Sequence, residues 1–329
     1  MSHFSSRRLR VVFNPTAGRR KQSRIEDVIA RLRANGCHVD VCATTGPGHA
    51  IDLARQAATD GDIDVVVAAG GDGTISECAT GLLQALEDGS VSFEALPALG
   101  ILPMGTANVL AMDLGLVTLG GVARRKITRT LMHGRVRTLQ VGQVENAIER
   151  RAFVMMVGAG FDGAAVGAVS ARLKKRFGKF AYVKAGIEAI FAGPGEGGVL
   201  RRGEDTLRQS SWIIITNGQH YAGGYRLTRR TNLTRDTLAA FAVKGLSRFS
   251  VLKANTCLGL GLFDTKLNAE AHMGERFRIE TPGRHCMVQV DGDYFGLAPV
   301  DVSIAPHAIK FLIPNGDNHN NVNTEQERE

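Results

Sequence analysis

The sequence predicts two fold classes in succession: an α/β domain built on a parallel sheet, then a β-rich domain forming a sandwich or barrel. Two observations carry this. Over the first 115 residues, short apolar runs alternate with amphipathic stretches, the pattern of a parallel sheet covered by helices. After about residue 135, strand-like runs crowd together with little helix between them, as in antiparallel β folds.

Each element has its own signal. Leu9 to Phe13 is apolar and stops at Asn14-Pro15. Ser23 to Arg33 spaces Ile25, Val28, Ile29 and Leu32 for one helix face, and Asn35-Gly36 ends it. Val39 to Cys42 reads as a strand and Ala50 to Ala58 as a helix. Ile63 to Ala69 is nearly all β-branched or small, as expected of a strand buried on both faces. A helix over Ile75 to Leu86, a strand over Leu99 to Leu102 and a helix from Ala107 to Asp113 complete the first part. Beyond it, strands are expected at 136–144, 151–157, 212–216, 238–243, 277–280, 287–290 and 300–304, with a helical insertion over Leu173 to Phe191. The stretch from Asn315 is polar and reads as disordered.

At 329 residues the chain suits two domains. Its formal net charge of +8 is of the kind that draws a protein towards nucleic acid, anionic membrane or phosphorylated substrates. Five scattered cysteines form no C-x-x-C pair, so neither a disulfide framework nor a zinc site is expected. Met1 to Arg10 lacks the apolar core of a secretory signal. Ala95 to Met112 is uncharged, but Pro97, Gly100, Pro103, Gly105 and Asn108 make it a strand, turn and helix rather than a membrane span.

Chemistry is concentrated in three turns. Ala69-Gly70-Gly71-Asp72-Gly73-Thr74 joins a buried strand to a helix; its glycines allow close backbone approach, and its free amides face an anion. A plain strand-to-helix turn is the other reading of that segment in isolation. Asn14-Pro15-Thr16-Ala17-Gly18 and Pro103-Met104-Gly105-Thr106-Ala107-Asn108 occupy the same place after two other strands. Three such turns converge at the carboxyl edge of one sheet, where open α/β sheets bind nucleotides. The Walker A pattern is lacking, and no G-x-G-x-x-G follows the first strand.

With these turns the chain resembles the diacylglycerol kinase catalytic-domain family, its bacterial soluble lipid-kinase branch in particular, related to sphingosine and ceramide kinases. The ordered set is N-P-T-A-G at 14–18, G-G-D-G-T at 70–74, P-M-G-T-A-N at 103–108, G-A-G-F-D at 158–162 and D-G-D at 291–293. The resemblance implies an α/β nucleotide-binding domain over 1–134, a β-rich lipid-binding domain over 135–314 with a cleft between them, and a tail at 315–329. It implies ATP and Mg2+ as cofactors. Asn14, Pro15, Thr16, Ala17 and Gly18 would line the nucleotide, with Thr44 (Thr45 in the alternative register). Gly71, Asp72, Gly73, Thr74, Ile75, Ser76 and Glu77 would wrap the phosphates, with Gly105 and Thr106 closing the site.

Phosphoryl transfer to an alcohol also needs a carboxylate to accept the hydroxyl proton. The resemblance puts it in Val290-Asp291-Gly292-Asp293, where Asp293 is favoured and Asp291 is the alternative. An ordinary Asp-Gly hairpin turn is the plain reading of the same residues. Asp72 is either a magnesium ligand or the base itself, and its place beside the phosphates favours the first. Leu233, Asp236 and Leu238 resemble the family's structural magnesium ligands, although Thr237 stands where the family has glycine. Asn217-Gly218 and Tyr221-Ala222-Gly223-Gly224 resemble turns at the lipid end of the cleft. Lys174, Lys175, Arg176 and Lys179 beside Phe177, Phe180 and Tyr182 suit an anionic membrane surface, and a solvated helix face is the plain reading of the same charge run.

The expected partners are therefore ATP and a lipid substrate at the membrane surface, with no nucleic acid and a homodimer as a candidate assembly. The expected location is cytoplasmic, peripheral on the inner face of the membrane. Two other readings stand beside this one: an NAD kinase-like nucleotide kinase, and a non-catalytic nucleotide-binding regulator on the same fold.

Overall fold

The structure, a computed structural model, describes residues 6–15, 19–105, 107–118, 121–122, 124–168, 197–221, 224–245, 247–265, 269–281, 283 and 285–315. Thr16, Ala17, Gly18, Thr106, the expected helical insertion with its basic cluster, and the tail from 316 lie outside the described residues.

The first domain follows from its alternation. β1 (Arg8–Phe13), β2 (His38–Ala43), β3 (Val65–Gly70) and β4 (Ala98–Pro103) alternate with α1 (Arg19–Ala34), α2 (His49–Thr59), α3 (Asp72–Glu87) and α4 (Val109–Asp113). The strands pair in parallel in the order β2-β1-β3-β4. β3 and β4 are buried at every residue, which explains their unbroken apolar runs. A short ribbon, β5 (Val117–Thr118) with β6 (Gly121–Val122), and α5 (Arg124–His133) follow.

The sheet does not end where the sequence placed the domain boundary. β7 (Arg135–Leu139) and β22 (Ile309–Ile313) extend it in the order β4-β22-β7, with β22 parallel to β4 and antiparallel to β7. The expected β-rich unit over 135–314 thus lends both its first and last strands to the neighbouring sheet. The physical reason is edge protection. Ile309, Phe311, Leu312 and Ile313 are buried against the apolar edge of β4, and the outer position falls to β7, with exposed Arg135 and Val136.

The expected strand over 136–144 accordingly divides into β7 and β8 (Gly142–Glu145), which join different sheets. The one over 151–157 divides into β9 (Arg150–Phe153) and β10 (Met156–Gly160), again in different sheets.

The remaining elements are α6 (Phe161–Ala168), β11 (Gly198–Arg202), β12 (Asp205–Ser210), β13 (Trp212–Thr216), β14 (His220–Tyr221), β15 (Tyr225–Arg226), β16 (Leu238–Val243), α7 (Arg248–Gly259), β17 (Ala269–Gly274), β18 (Arg276–Glu280), β19 (Met287–Val290), β20 (Asp293–Leu297) and β21 (Val300–Ile304). Two antiparallel sheets, β17-β16-β13-β10-β19-β20 and β12-β11-β18-β21-β8-β9, form a sandwich. Between them pack Phe153, Ile213, Ile215, Phe277, Ile279 and their neighbours. Alternate residues of the first sheet, including Trp212, Ile214 and Phe241, face the other way into a core continuous with that of the α/β domain. That sheet is covered on both faces, so β13 and β16 read as solid apolar runs.

Candidate active site

The first wall is a pair of glycine turns in backbone contact. β3 delivers Gly71 in an extended conformation at the cap of α3. β4 delivers Gly105 opposite it, where a Cβ on Gly105 would come within 2.6 Å of Gly71 Cα. The Met104 amide donates to the Gly70 carbonyl at 2.8 Å and locks the two turns together. Glycine is required at 105, and a side chain at 71 would press on the Gly105 Cα at 3.3 Å. The first-turn amides of α3, which lack intrahelical acceptors, open beside them.

Asp72 organises this wall. Its carboxylate accepts from the amides of Val109 at 3.2 Å and Leu110 at 3.3 Å, at the start of α4. Burial raises its carboxyl above the ordinary range; the amides of Val109, Leu110 and Asp72 itself pull it down, and the Asp293 charge adds to the rise. One buried acid thus ties the first turns of two helices, where the helix dipoles favour it.

The remaining expected nucleotide residues divide. The Thr44 amide donates to the Phe13 carbonyl at 2.8 Å, so Thr44 adjoins Asn14 and Pro15 at the ends of β2 and β1. Thr45 bonds instead to His49 Nδ1. Glu77 Oε1 accepts from the Gly48 amide at 3.0 Å and fixes the loop entering α2. Ile75 packs in the core, and Ser76 Oγ donates to the Ala152 carbonyl of β9 at 2.5 Å. Their side chains therefore join α3 to its surroundings and to the sandwich.

The second wall is the β19–β20 hairpin. Asp291 and Gly292 both have positive φ, 49° and 85°, the two-residue turn that Asp-Gly favours. The plain hairpin reading of this motif is correct as far as it goes, but the turn is also pinned from behind. Asp291 accepts from the amides of Val154 at 2.7 Å, Met155 at 3.0 Å and Met156 at 2.8 Å. These amides lie where the chain leaves β9 for β10, and the carboxylate supplies acceptors through the change of sheet. Burial pushes the Asp291 carboxyl up to about 7, opposed by the three amides and reinforced by the charge of Asp72.

Asp293, at the start of β20, projects to the first wall: a Cβ on Gly73 would collide with Asp293 Oδ2. The sequence motifs at 70–74 and 291–293 therefore meet, although they lie far apart along the chain. A second tie crosses between the domains. Asp113 of α4 accepts from the Gln219 amide at 2.8 Å and pairs with His220 Nδ1.

Around Leu233 and Asp236, expected with Leu238 as metal ligands, the described contacts come from Gln140. The Gln140 amide donates to the Leu233 carbonyl at 2.7 Å, and the Gln140 side chain donates to Asp236 Oδ1. Leu238 begins β16 with its side chain in the core. Among the described residues no group of three or more His, Cys, Asp or Glu is arranged to hold a metal ion. Magnesium in phosphoryl-transfer sites needs only one or two carboxylates beside the substrate phosphates. The donors at the facing walls, Asp72 and Asp293, are hard oxygens of that type.

Sequence reasoning gave no role to the side chains of Asp162, Tyr221 and Gln289. Asp162 Oδ1 accepts from the Tyr221 hydroxyl and Oδ2 accepts from Gln289 Nε2 at 2.8 Å. The glycine spacing of the 158–163 stretch was the available signal; nothing pointed to Gln289.

A glycine-lined edge of a parallel sheet is thus faced by an acid from an antiparallel sandwich. The diacylglycerol kinase catalytic domain family matches residues 8–144, and the YegS C-terminal NAD kinase beta sandwich-like domain matches residues 155–313. The chain is 27% identical to the protein of Bacillus subtilis (strain 168) named diacylglycerol kinase, over 84% of this chain and 78% of that one. It is 31% identical to the "Probable lipid kinase YegS" of Escherichia fergusonii over 62% of this chain and 64% of that one. A crystal structure of a diacylglycerol kinase from Bacillus anthracis str. Sterne shares its fold, with a TM-score of 0.63 at 18% identity over 94% of this chain and 97% of that one. The chain belongs to the diacylglycerol kinase catalytic-domain family, a family of lipid kinases. Among the described residues no helix is long and apolar enough to cross a membrane.

Proposed function

We propose that this chain transfers the γ-phosphate of ATP, with Mg2+, to a hydroxyl group of a diacylglycerol-like or sphingoid-like lipid presented at a membrane surface. The observation that carries this reading is the position of Asp293 against Gly73, which sets a carboxylate from the sandwich over the phosphate-facing end of α3. Asp293, whose Oδ2 reaches from the sandwich to Gly73 at the start of α3, is the acid we assign as proton acceptor. The lipid hydroxyl donates to Asp293; as its oxygen bonds to the γ-phosphorus, the proton passes to the carboxylate and the bond to the ADP oxygen breaks. The Gly71–Thr74 amides and the turn at Gly105 hold the phosphates, with Asn14, Pro15 and Thr44 on the nucleoside side. Mg2+ bound with the nucleotide would neutralise phosphate charge, with Asp72 and Asp293 as the acids at hand.

The test is transfer of labelled γ-phosphate to diacylglycerol, sphingoid bases and ceramide in mixed micelles, with NAD as a control acceptor. Labelled lipid that disappears in Asp293→Asn supports the reading. Labelling of NAD alone, or of no acceptor, rejects it.

A further inference from the structure

The G-A-G-F-D-G stretch at 158–163 runs from β10 into α6, beside β19. Its glycines are placed to serve one buried pair. Gly158 is the register partner of Gln289 across β10 and β19. A Cβ on Gly158 would strike Asp162 Oδ2 and come within 2.7 Å of Gln289 Nε2. Gly160 takes φ 74°, turning the chain from β10 into α6, and Gly163 lets α6 lie directly on the Met287 carbonyl. The effect is to seat Asp162, 5% exposed, against Gln289, 2% exposed.

We propose that Asp162 is a positioning residue that acts through Gln289 to hold the Asp291–Gly292 turn, and so keeps Asp293 against Gly73. The chain of contacts runs in one direction. Tyr221 donates to Asp162, Gln289 Nε2 donates to Asp162, and the Gly292 amide donates to Gln289 Oε1 at 2.7 Å. Both Asp162 oxygens accept, one from Tyr221 and one from Gln289, so Asp162 dictates which end of the Gln289 amide faces it. The oxygen must then point at Gly292. With that choice released, the amide could turn its NH2 towards the Gly292 N–H, leaving two buried donors face to face, a costly arrangement.

The tyrosine end gives this network a reach beyond the turn. Tyr221 lies in the β14–β15 hairpin beside Trp212, with ring centroids 6.1 Å apart. The hairpin next to the inter-domain tie at His220 and the hairpin carrying Asp293 are therefore joined by four groups in series.

The inference rests on Asp293 as proton acceptor, and the experiment separates the two. Asp162→Asn keeps the shape but removes control of the amide. Its expected effect is a fall of 10-fold or more in kcat, with KM for ATP within about two-fold and Tm nearly unchanged, and faster hydrogen exchange at the Gly292 amide by NMR. Adding Gln289→Glu reverses the donor and acceptor between the two side chains. The new amide at position 162 then donates to the new carboxylate at position 289, whose other oxygen again accepts from Gly292. That double variant should recover kcat to within about three-fold of the parent and restore protection at Gly292. Gln289→Met, which severs the link and leaves Asp162 with Tyr221, serves if Asp162→Asn does not fold, and should reproduce both losses. Full kcat and unchanged Gly292 exchange in the single variants overturn the inference while an inactive Asp293→Asn leaves the base assignment intact. An active Asp293→Asn rejects the base assignment instead, and the Gly292 exchange readout then still decides whether Asp162 holds the turn.

Discussion

The carboxylate of Asp293 fills the space that a side chain on Gly73 would need. The two residues come from different domains, so this contact reports directly on how closely the walls of the cleft meet. Gly73→Ala should push Asp293 aside while leaving the backbone of α3 helical, because alanine favours a helix more than glycine. The expected result is a fall in kcat of about 10²-fold, consistent with losing a positioned general base, with ATP affinity and Tm close to the parent. Steady-state kinetics with calorimetry of ATP binding would check it, and wild-type kcat in the alanine variant would count against the geometry.

Asp293→Asn and Asp291→Asn should separate cleanly. The first should lower kcat by about 10²- to 10⁴-fold with little change in stability. The second should act mainly on folding, because its amide nitrogen would face backbone donors already committed to the carboxylate. Parallel measurements of kcat and Tm on the two variants give the comparison.

Asp291 also makes a prediction about pH. Its carboxyl titrates at about 7 in the folded chain, above the value of about 3.9 expected in the unfolded chain. Between those values the folded state keeps a proton that the unfolded state has released. The stability contributed by this group is thus complete below about pH 4 and declines as the pH rises to about 7. Asp291→Asn cannot titrate, so the Tm of the parent minus that of the variant should shrink from pH 4 to pH 7. A constant difference across that range would reject the assignment.

Asp72→Ala removes one acceptor from the starts of both α3 and α4. Leaving those amides without their buried partner should cost about 2 kcal/mol, measurable by urea denaturation. It should also weaken ATP binding, since the same wall carries Gly71 and Gly105.

Much of the site was legible because its chemistry is local. Each glycine turn follows its strand directly, and the parallel alternation places all of them at one sheet edge. The D-G-D hairpin was equally plain, yet the sequence alone left open which of its acids faces the cleft. That depends on the amides of Val154, Met155 and Met156, which lie where the chain changes sheets inside what read as one strand. The same difficulty hid the split at Gln140: apolar alternation continues through it, and only the partner strands reveal the division. Ile75 and Ser76 were expected beside phosphate because they follow the turn, but one helical step carries their side chains to the core and to β9. Gln140 gave no signal, since a lone glutamine has no spacing to be read.

β22, wedged between β4 and β7, has a consequence for biosynthesis. The ribosome finishes all of the sandwich before residues 309–313 emerge, so the nucleotide lobe is begun first and closed last. Until then the apolar margin of β4 lacks its neighbour, an opening of the kind that invites intermolecular strand pairing. A nascent chain halted before residue 309 is therefore the species most in need of a chaperone, and a gene fragment encoding the first lobe alone would specify an unfinished sheet.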